Sequence, residues 1–277
     1  MITPTKAESK PGASAHSKNS FAETLFKIGY RFSLARVFDN FLTIAIAACT
    51  QNFQTGKSWY EDEYLETIAY YKDSELRHEF SIAFALLITE MEEKASSLGG
   101  DVLGDFFEQN ISNGRNGQFF TPFPICEFMA SITNTDVLSD EQKDRPLRIL
   151  DPACGSGRML LASHKKNGVG HEYYGIDIDR TCAKIAALNL FLHGMWHSEI
   201  MCANALSPDD FVIAYHISML PLGIFKIVNK EESKLWHLHR NSFMTKEKRA
   251  VLSNEIELDN TPFNERKNDE GTQLHLF

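Results

Sequence analysis

The feature that most constrains this chain is the stretch Leu147-Arg148-Ile149-Leu150-Asp151-Pro152-Ala153-Cys154-Gly155-Ser156-Gly157. Its apolar opening, Leu147–Leu150, has the pattern of a short strand buried on both faces. The run then passes into a loop of small residues with two glycines, and from there into the helical pattern Arg158–His164. Strand, glycine-rich bend and helix let backbone amides approach a ligand closely, because glycine lacks the Cβ that would stand in the way. Further elements alternate behind it: a strand at Tyr173–Ile178, a helix at Cys182–His193, a strand at Glu199–Cys202, and strand patterns at Phe211–Ile217 and Gly223–Val228. This order predicts the α/β class, with a doubly wound, mostly parallel sheet.

The residues ahead of that unit follow another period. Apolar positions recur at helical spacing from Phe21 to about Gln51, and again over Trp59–Tyr71, Ser74–Ser97 and Val102–Ile111. Gly29 and Asp39-Asn40 are candidate breaks or bends, Ser58 a candidate cap, and Gly99-Gly100 a stop. Pro124 suits the start of another helix, Ile125–Ile132. The expected organisation is a disordered segment over 1–20, an all-helical unit over 21–111, an α/β domain over 112–229 and a polar, mobile tail over 230–277. The aromatic stripes of the helical unit read as core.

Composition narrows the function. A net charge of −9 disfavours a stand-alone nucleic-acid binder, so contact with DNA would need a local basic patch or a partner subunit. The five cysteines are scattered, with no C-x-x-C pair, which argues against a zinc site and against a disulfide framework; no metal is expected. The longest apolar run, near Phe41–Cys49, is too short to span a bilayer, and a cytoplasmic protein with no membrane association is expected.

Three features fall at the carboxyl ends of the first three strands, where such sheets bind ligands. The first is the Asp151–Gly157 loop. The second is Asp177 in Gly175-Ile176-Asp177-Ile178-Asp179, roughly 25 residues after Asp151 and placed to accept hydrogen bonds from ribose hydroxyls. The third is Asn204, just past the third strand and able to read the edge of an adenine. Gly155-x-Gly157 continues as Arg158-Met159-Leu160, so the third glycine of a dinucleotide fingerprint is missing. An adenosine ligand without a pyrophosphate, such as S-adenosylmethionine, fits better. Cys154 lies inside the bend with no histidine beside it by local spacing, which disfavours a nucleophilic role. Asp179 reads as a helix cap.

Gly117-Gln118-Phe119-Phe120-Thr121-Pro122, followed by Asp151-Pro152-Ala153-Cys154-Gly155-Ser156-Gly157, resembles the adenine-specific DNA methyltransferases of the type I restriction-modification methylation subunit. Asp101-Val102-Leu103-Gly104-Asp105-Phe106-Phe107-Glu108 resembles the helix those proteins place before the first motif. The resemblance implies S-adenosylmethionine as cofactor. Gln118, Phe119, Thr121 and Pro122 would close over its methionine end, and Asp151 with Ala153, Cys154, Gly155, Ser156 and Gly157 would hold the amino-acid and sulfonium region. Asp177 would take the ribose and Asn204 the adenine amino group. DNA and a specificity or methylase subunit, or a second copy of the chain, are the implied partners.

The family's chemistry also needs [N/D]-P-P-[F/Y/W] after the fourth strand, to hold and stack a flipped adenine. Phe211–Phe225 lacks that motif; Asn260-Thr261-Pro262-Phe263 is a partial match much later in the chain. The residues that carry catalysis therefore stay unassigned. The leading expectation is an accessory or catalytically impaired DNA-modification protein, and the alternatives are an active adenine methylase with an atypical motif and a non-enzymatic scaffold. The sheet edge left by so short an α/β domain is expected to be covered by the tail, the helical unit or another chain.

Overall fold

Ser20 opens the helical part of the chain with a capping box: its hydroxyl accepts from the Glu23 amide, and the Glu23 carboxylate accepts from the Ser20 amide. The computed structural model describes residues 20–277 apart from 53, 73, 98, 113–118, 134–145, 208, 243–274 and 277. Helix α1 (Phe21–Gly29) ends at the expected glycine, and α2 (Leu34–Cys49) leaves at 120° to it, with Asp39 and Asn40 inside the helix. A two-stranded ribbon, β1 (Gln51–Asn52) and β2 (Lys57–Ser58), leads to α3 (Glu61–Ala69). Ser58 is thus a strand residue rather than the N-cap; its hydroxyl accepts the Tyr60 amide one step before the helix. Helices α4 (Ser74–Glu93) and α5 (Val102–Phe107) follow, and α5 runs on as a π turn, Glu108–Ser112. Phe21, Phe38, Phe41 and Phe106 interlock at centroid distances of 5.1–5.5 Å, so the aromatic stripe is core.

After α6 (Phe123–Thr133) come β3 (Arg148–Asp151), α7 (Arg158–Asn167), β4 (Glu172–Asp177), α8 (Arg180–Leu192), β5 (Ser198–Cys202), β6 (Ile213–Met219), β7 (Leu222–Ile227) and β8 (His275–Leu276). The sheet order is β7-β6-β5-β4-β3-β8. Strands β3, β4, β5 and β8 are mutually parallel, which bears out the mostly parallel α/β class. The fourth strand departs from expectation, because β6 runs antiparallel to β5. Residues 203–212 are too few for a helical crossover, which takes roughly a dozen or more, so the chain folds back and continues as the β6–β7 hairpin.

Both crossover helices lie on one face of the sheet. Leu160, Leu161, Ile185 and Leu188 share an apolar cluster there with Ile149, Tyr173 and Ile200, and the same cluster runs on into the cores of α1, α2 and α4. The opposite face carries Leu150, Tyr174, Ile176 and Met201, covered by Leu235 and Trp236 of helix α9 over 234–242. The start of the expected mobile tail is therefore a structural element. Ser233 caps it by accepting from the Trp236 amide, and donates to the buried Glu199 carboxylate, which also accepts the Leu235 amide. Burial pushes the Glu199 carboxyl above its ordinary range.

The free edge at β7 is closed by side chains of the helical unit, one of the coverings expected. Thr50 Oγ1 accepts from Ile224 N at 3.0 Å and lies 3.2 Å from Ile224 O, while Tyr60 Oη accepts from Lys226 N at 2.6 Å and donates to Ile224 O. Two side chains thus take the place of a neighbouring strand. Among the described residues no single helix is long and apolar enough to cross a membrane.

Trp236 is fully buried and shares its face of the sheet with the buried Tyr174. Trp236→Ala is expected to lower the unfolding free energy by about 3–5 kcal/mol in urea denaturation. A loss below about 1 kcal/mol would show that α9 is not part of the cooperative fold.

Candidate functional site

The loop after β3 is held by three bonds, two of which fold it across the end of β4. Asp151 is buried and accepts the Ala153 amide at 3.1 Å; the Cys154 amide donates to Ile176 O at 2.9 Å; the Gly155 amide donates to Asp177 Oδ2 at 2.8 Å. Gly155 has φ +53°, and a Cβ there would lie 2.7 Å from the Phe120 ring, so both conformation and contact require glycine. The Cys154 thiol is buried, and burial raises its pKa well above the usual range, which leaves it a poor nucleophile.

Asp177 accepts a second bond, from the Asp179 amide at 2.8 Å. Asp179 caps α8 as its position implies, accepting from the Thr181 and Cys182 amides. Each Asp177 oxygen retains a lone pair for a further donor. The register pairs Asp177 with Cys202, and the Ala203 amide donates to Asp177 O, so the loop after β5 shares its rim. Asn204 stands in that loop with Oδ1 accepting from the Leu206 amide at 3.0 Å, while its own amide donates to Asp210. His239 of α9 steadies the loop, Nε2 donating to Ala205 O at 2.8 Å.

On the other side of the bend, Phe120 stacks on Phe107 at 6.0 Å and its amide donates to Glu108 Oε1 at 3.2 Å. Phe119, Thr121 and Pro122 are exposed around it. Gln118 lies outside the described residues. The Ser156 hydroxyl turns inward and donates to Asp101 at 2.6 Å, so this loop residue faces the protein rather than the crevice. Two residues escaped the sequence reading: Ile178 and Leu206 are 73% and 85% exposed, one directly after Asp177 and one just past Asn204. The available signal was an apolar residue set between two acids in Asp177-Ile178-Asp179.

Two carboxyl groups, Asp151 and Asp177, set the electrostatics of this rim. Burial pushes the Asp151 carboxyl up to about 6, with the nearby Asp177 charge adding to the effect, and burial raises Asp177 as well. A positive ligand group would be stabilised by both ionised forms. A separate cavity of about 280 Å³, lined by His164, His171, Glu172 and Trp196, opens at the amino ends of the strands, away from these residues. Among the described residues no group of three or more His, Cys, Asp or Glu is arranged to hold a metal ion.

The family model for N-6 DNA methylases matches residues 98–268, more than half of the chain. The chain is 33% identical over 113 residues to the type I restriction enzyme MjaVII methylase subunit of Methanocaldococcus jannaschii, covering 38% of this chain and 18% of that protein. It is 32% identical over 115 residues to the type I restriction enzyme MpnII methylase subunit of Mycoplasma pneumoniae, covering 38% and 20%. The alignments thus span about a fifth of the length of these curated relatives. A solved methyltransferase subunit of a type I restriction-modification system from Streptococcus thermophilus aligns with 63% of the chain and 54% of its own, at 16% identity and a TM-score of 0.29.

The raised Asp151 carboxyl makes stability depend on pH. Its ionised form is disfavoured in the folded state, so its unfavourable contribution is absent below the ordinary value of 3.8 and complete above about 6. Asp151→Asn keeps an acceptor for the Ala153 amide and removes that contribution. The variant is expected to be more stable than the parent at pH 8, by at most about 3 kcal/mol at ~1.4 kcal/mol per pH unit, with the gain shrinking to nothing near pH 4. Urea denaturation across that range checks it; a gain that does not vary with pH would contradict it.

Proposed function

Because this chain belongs to the N-6 DNA methylase family, we propose that it binds S-adenosylmethionine at the carboxyl ends of β3, β4 and β5 as an accessory or catalytically impaired DNA-modification protein. The observation that carries this reading is the bond between the Gly155 amide and Asp177, which sets the glycine bend, the acid and the Asn204 loop on one rim. Asp177 accepts the ribose hydroxyls on its spare lone pairs. The adenine lies between Ile178 and Leu206 with the Asn204 carboxamide at its edge. The sulfonium, which carries the transferable methyl group, sits near Asp151, and the Phe119–Pro122 arm with Gln118 closes over the amino-acid end. DNA is the substrate class, reached together with a specificity or methylase subunit or a second copy of the chain, which answers the net charge of −9.

A second reading, an active adenine methylase, draws on one observation. The family match runs to residue 268 and takes in Asn260-Thr261-Pro262-Phe263, which lie outside the described residues. The stretch Phe211–Phe225, where the adenine-holding motif is expected, contributes to the antiparallel hairpin instead. On this reading Asn260 hydrogen-bonds the target amino group and Phe263 stacks on the base.

Calorimetric titration with S-adenosylmethionine and tritiated methyl transfer to adenine-containing DNA separate the possibilities. Binding that weakens about 10–100-fold in Asp177→Ala, without methyl transfer, supports the accessory role. Transfer that is lost in Asn260→Ala identifies the active enzyme. Absence of heat with the parent chain leaves only a scaffold.

A further inference from the structure

Beneath the crevice lies a buried polar cluster that no cofactor contact uses. Asp101, the N-cap of α5, is fully buried and collects four donors. Its Oδ1 accepts the Gly104 amide at 2.8 Å and Asn189 Nδ2 at 2.6 Å; its Oδ2 accepts Ser156 Oγ and Arg158 Nε, each at 2.6 Å. The approach is so close that a Cβ at Gly104 would stand 2.2 Å from Asp101 Oδ2 and 2.6 Å from Ser156 Oγ. Arg158 is 6% exposed and reaches a second acid, with Nη1 3.4 Å from Glu108 Oε2. That same Glu108 holds the Phe120 amide through its other oxygen, and the Arg158 guanidinium lies 5.4 Å from the centre of the Phe120 ring.

The glycine bend and the Phe119–Pro122 arm are far apart in sequence, and where they meet, the Phe120 ring against Gly155, the contact is apolar and non-directional. The directional links are those of the buried cluster. We propose that Asp101, Glu108 and Arg158 are positioning residues for cofactor binding. Asp101 holds the bend through Ser156, Glu108 holds the arm through the Phe120 amide, and Arg158, bridging the two carboxylates, sets the two halves of the crevice at one spacing. This rests on the S-adenosylmethionine reading above. A planar fork that also stacks on a ring is needed, and an ammonium cannot replace it.

The test is calorimetric titration of S-adenosylmethionine into the full chain and its Arg158→Lys, Glu108→Gln, Glu108→Ala and Ser156→Ala variants, with thermal melts of each. The expected result is a Kd raised at least about tenfold in Arg158→Lys, at melting temperatures within a few degrees of the parent. Glu108→Gln, which keeps an acceptor for the Phe120 amide, should bind more tightly than Glu108→Ala. Hydrogen exchange at the Phe120 and Gly155 amides should quicken in Arg158→Lys while α1 and α2 stay protected. If Arg158→Lys melts early, the Glu108 pair and Ser156→Ala carry the same comparison. A parent chain that takes up no cofactor removes this inference together with the reading beneath it. A parent that binds while the variants keep its Kd, even with lowered melting temperatures, removes this inference alone.

Discussion

A carboxylate withdrawn from water is tenable only when donors replace its hydration, and among the described residues Asp101 meets that condition with four of them. Its four donors come from α5, the glycine bend, α7 and α8, so one side chain joins the helical unit to the layer that carries the crevice. His193 adds a tie close by, its ring lying between Asn189 O, 2.7 Å from Nδ1, and Gly99 O, 3.0 Å from Nε2. Lys184 of α8 reaches Asp39 of α2 at 2.7 Å. The largest apolar cluster passes without interruption from Phe21 and Phe38 to Ile185 and Ile200. Helical unit and sheet are therefore two parts of one packed body, and the bend is held from below by residues that precede it by some fifty positions, as the separation of Asp101 from Ser156 shows.

The same reciprocity governs the sheet edges. A hairpin added beside β5 creates a new edge at β7, and its amide and carbonyl groups need partners. Thr50 and Tyr60 supply them, the former from the end of α2 and the latter from just before α3. Lys226, next to that edge, lies over the Tyr60 ring and pairs with Glu63. At the opposite end of the sheet, β8 adds its two residues beside Ile149 and Leu150. On the second face Glu199 collects the start of α9, and α9 in turn steadies the Asn204 loop through His239. Of these elements α9 reaches the rim itself, through the bond from His239 to the Asn204 loop.

The chemistry of the rim follows from burial. Asp151 and Asp177 are both disfavoured as anions by their surroundings, and each is kept in place by backbone amides rather than by a cationic side chain among the bonds described. An opposite charge placed beside either carboxylate would offset the cost of its burial.

Local sequence determined much of this. The apolar run, the two glycines and the acid at the end of the next strand set the bend and its partner, because backbone conformation and short-range hydrogen bonds depend on a few adjacent residues. For the same reason Asp179 caps α8. Tertiary structure alone decided the rest. The direction of β6 depends on how short its connection is relative to a crossover, and the order of α9 depends on a face of the sheet needing Trp236. The inward turn of Ser156 depends on Asp101, and the exposure of Ile178 and Leu206 on what the neighbouring strands leave uncovered. Those outcomes come from contacts between residues distant in the chain, and periodicity, which records only which positions are apolar, does not say which of them will meet.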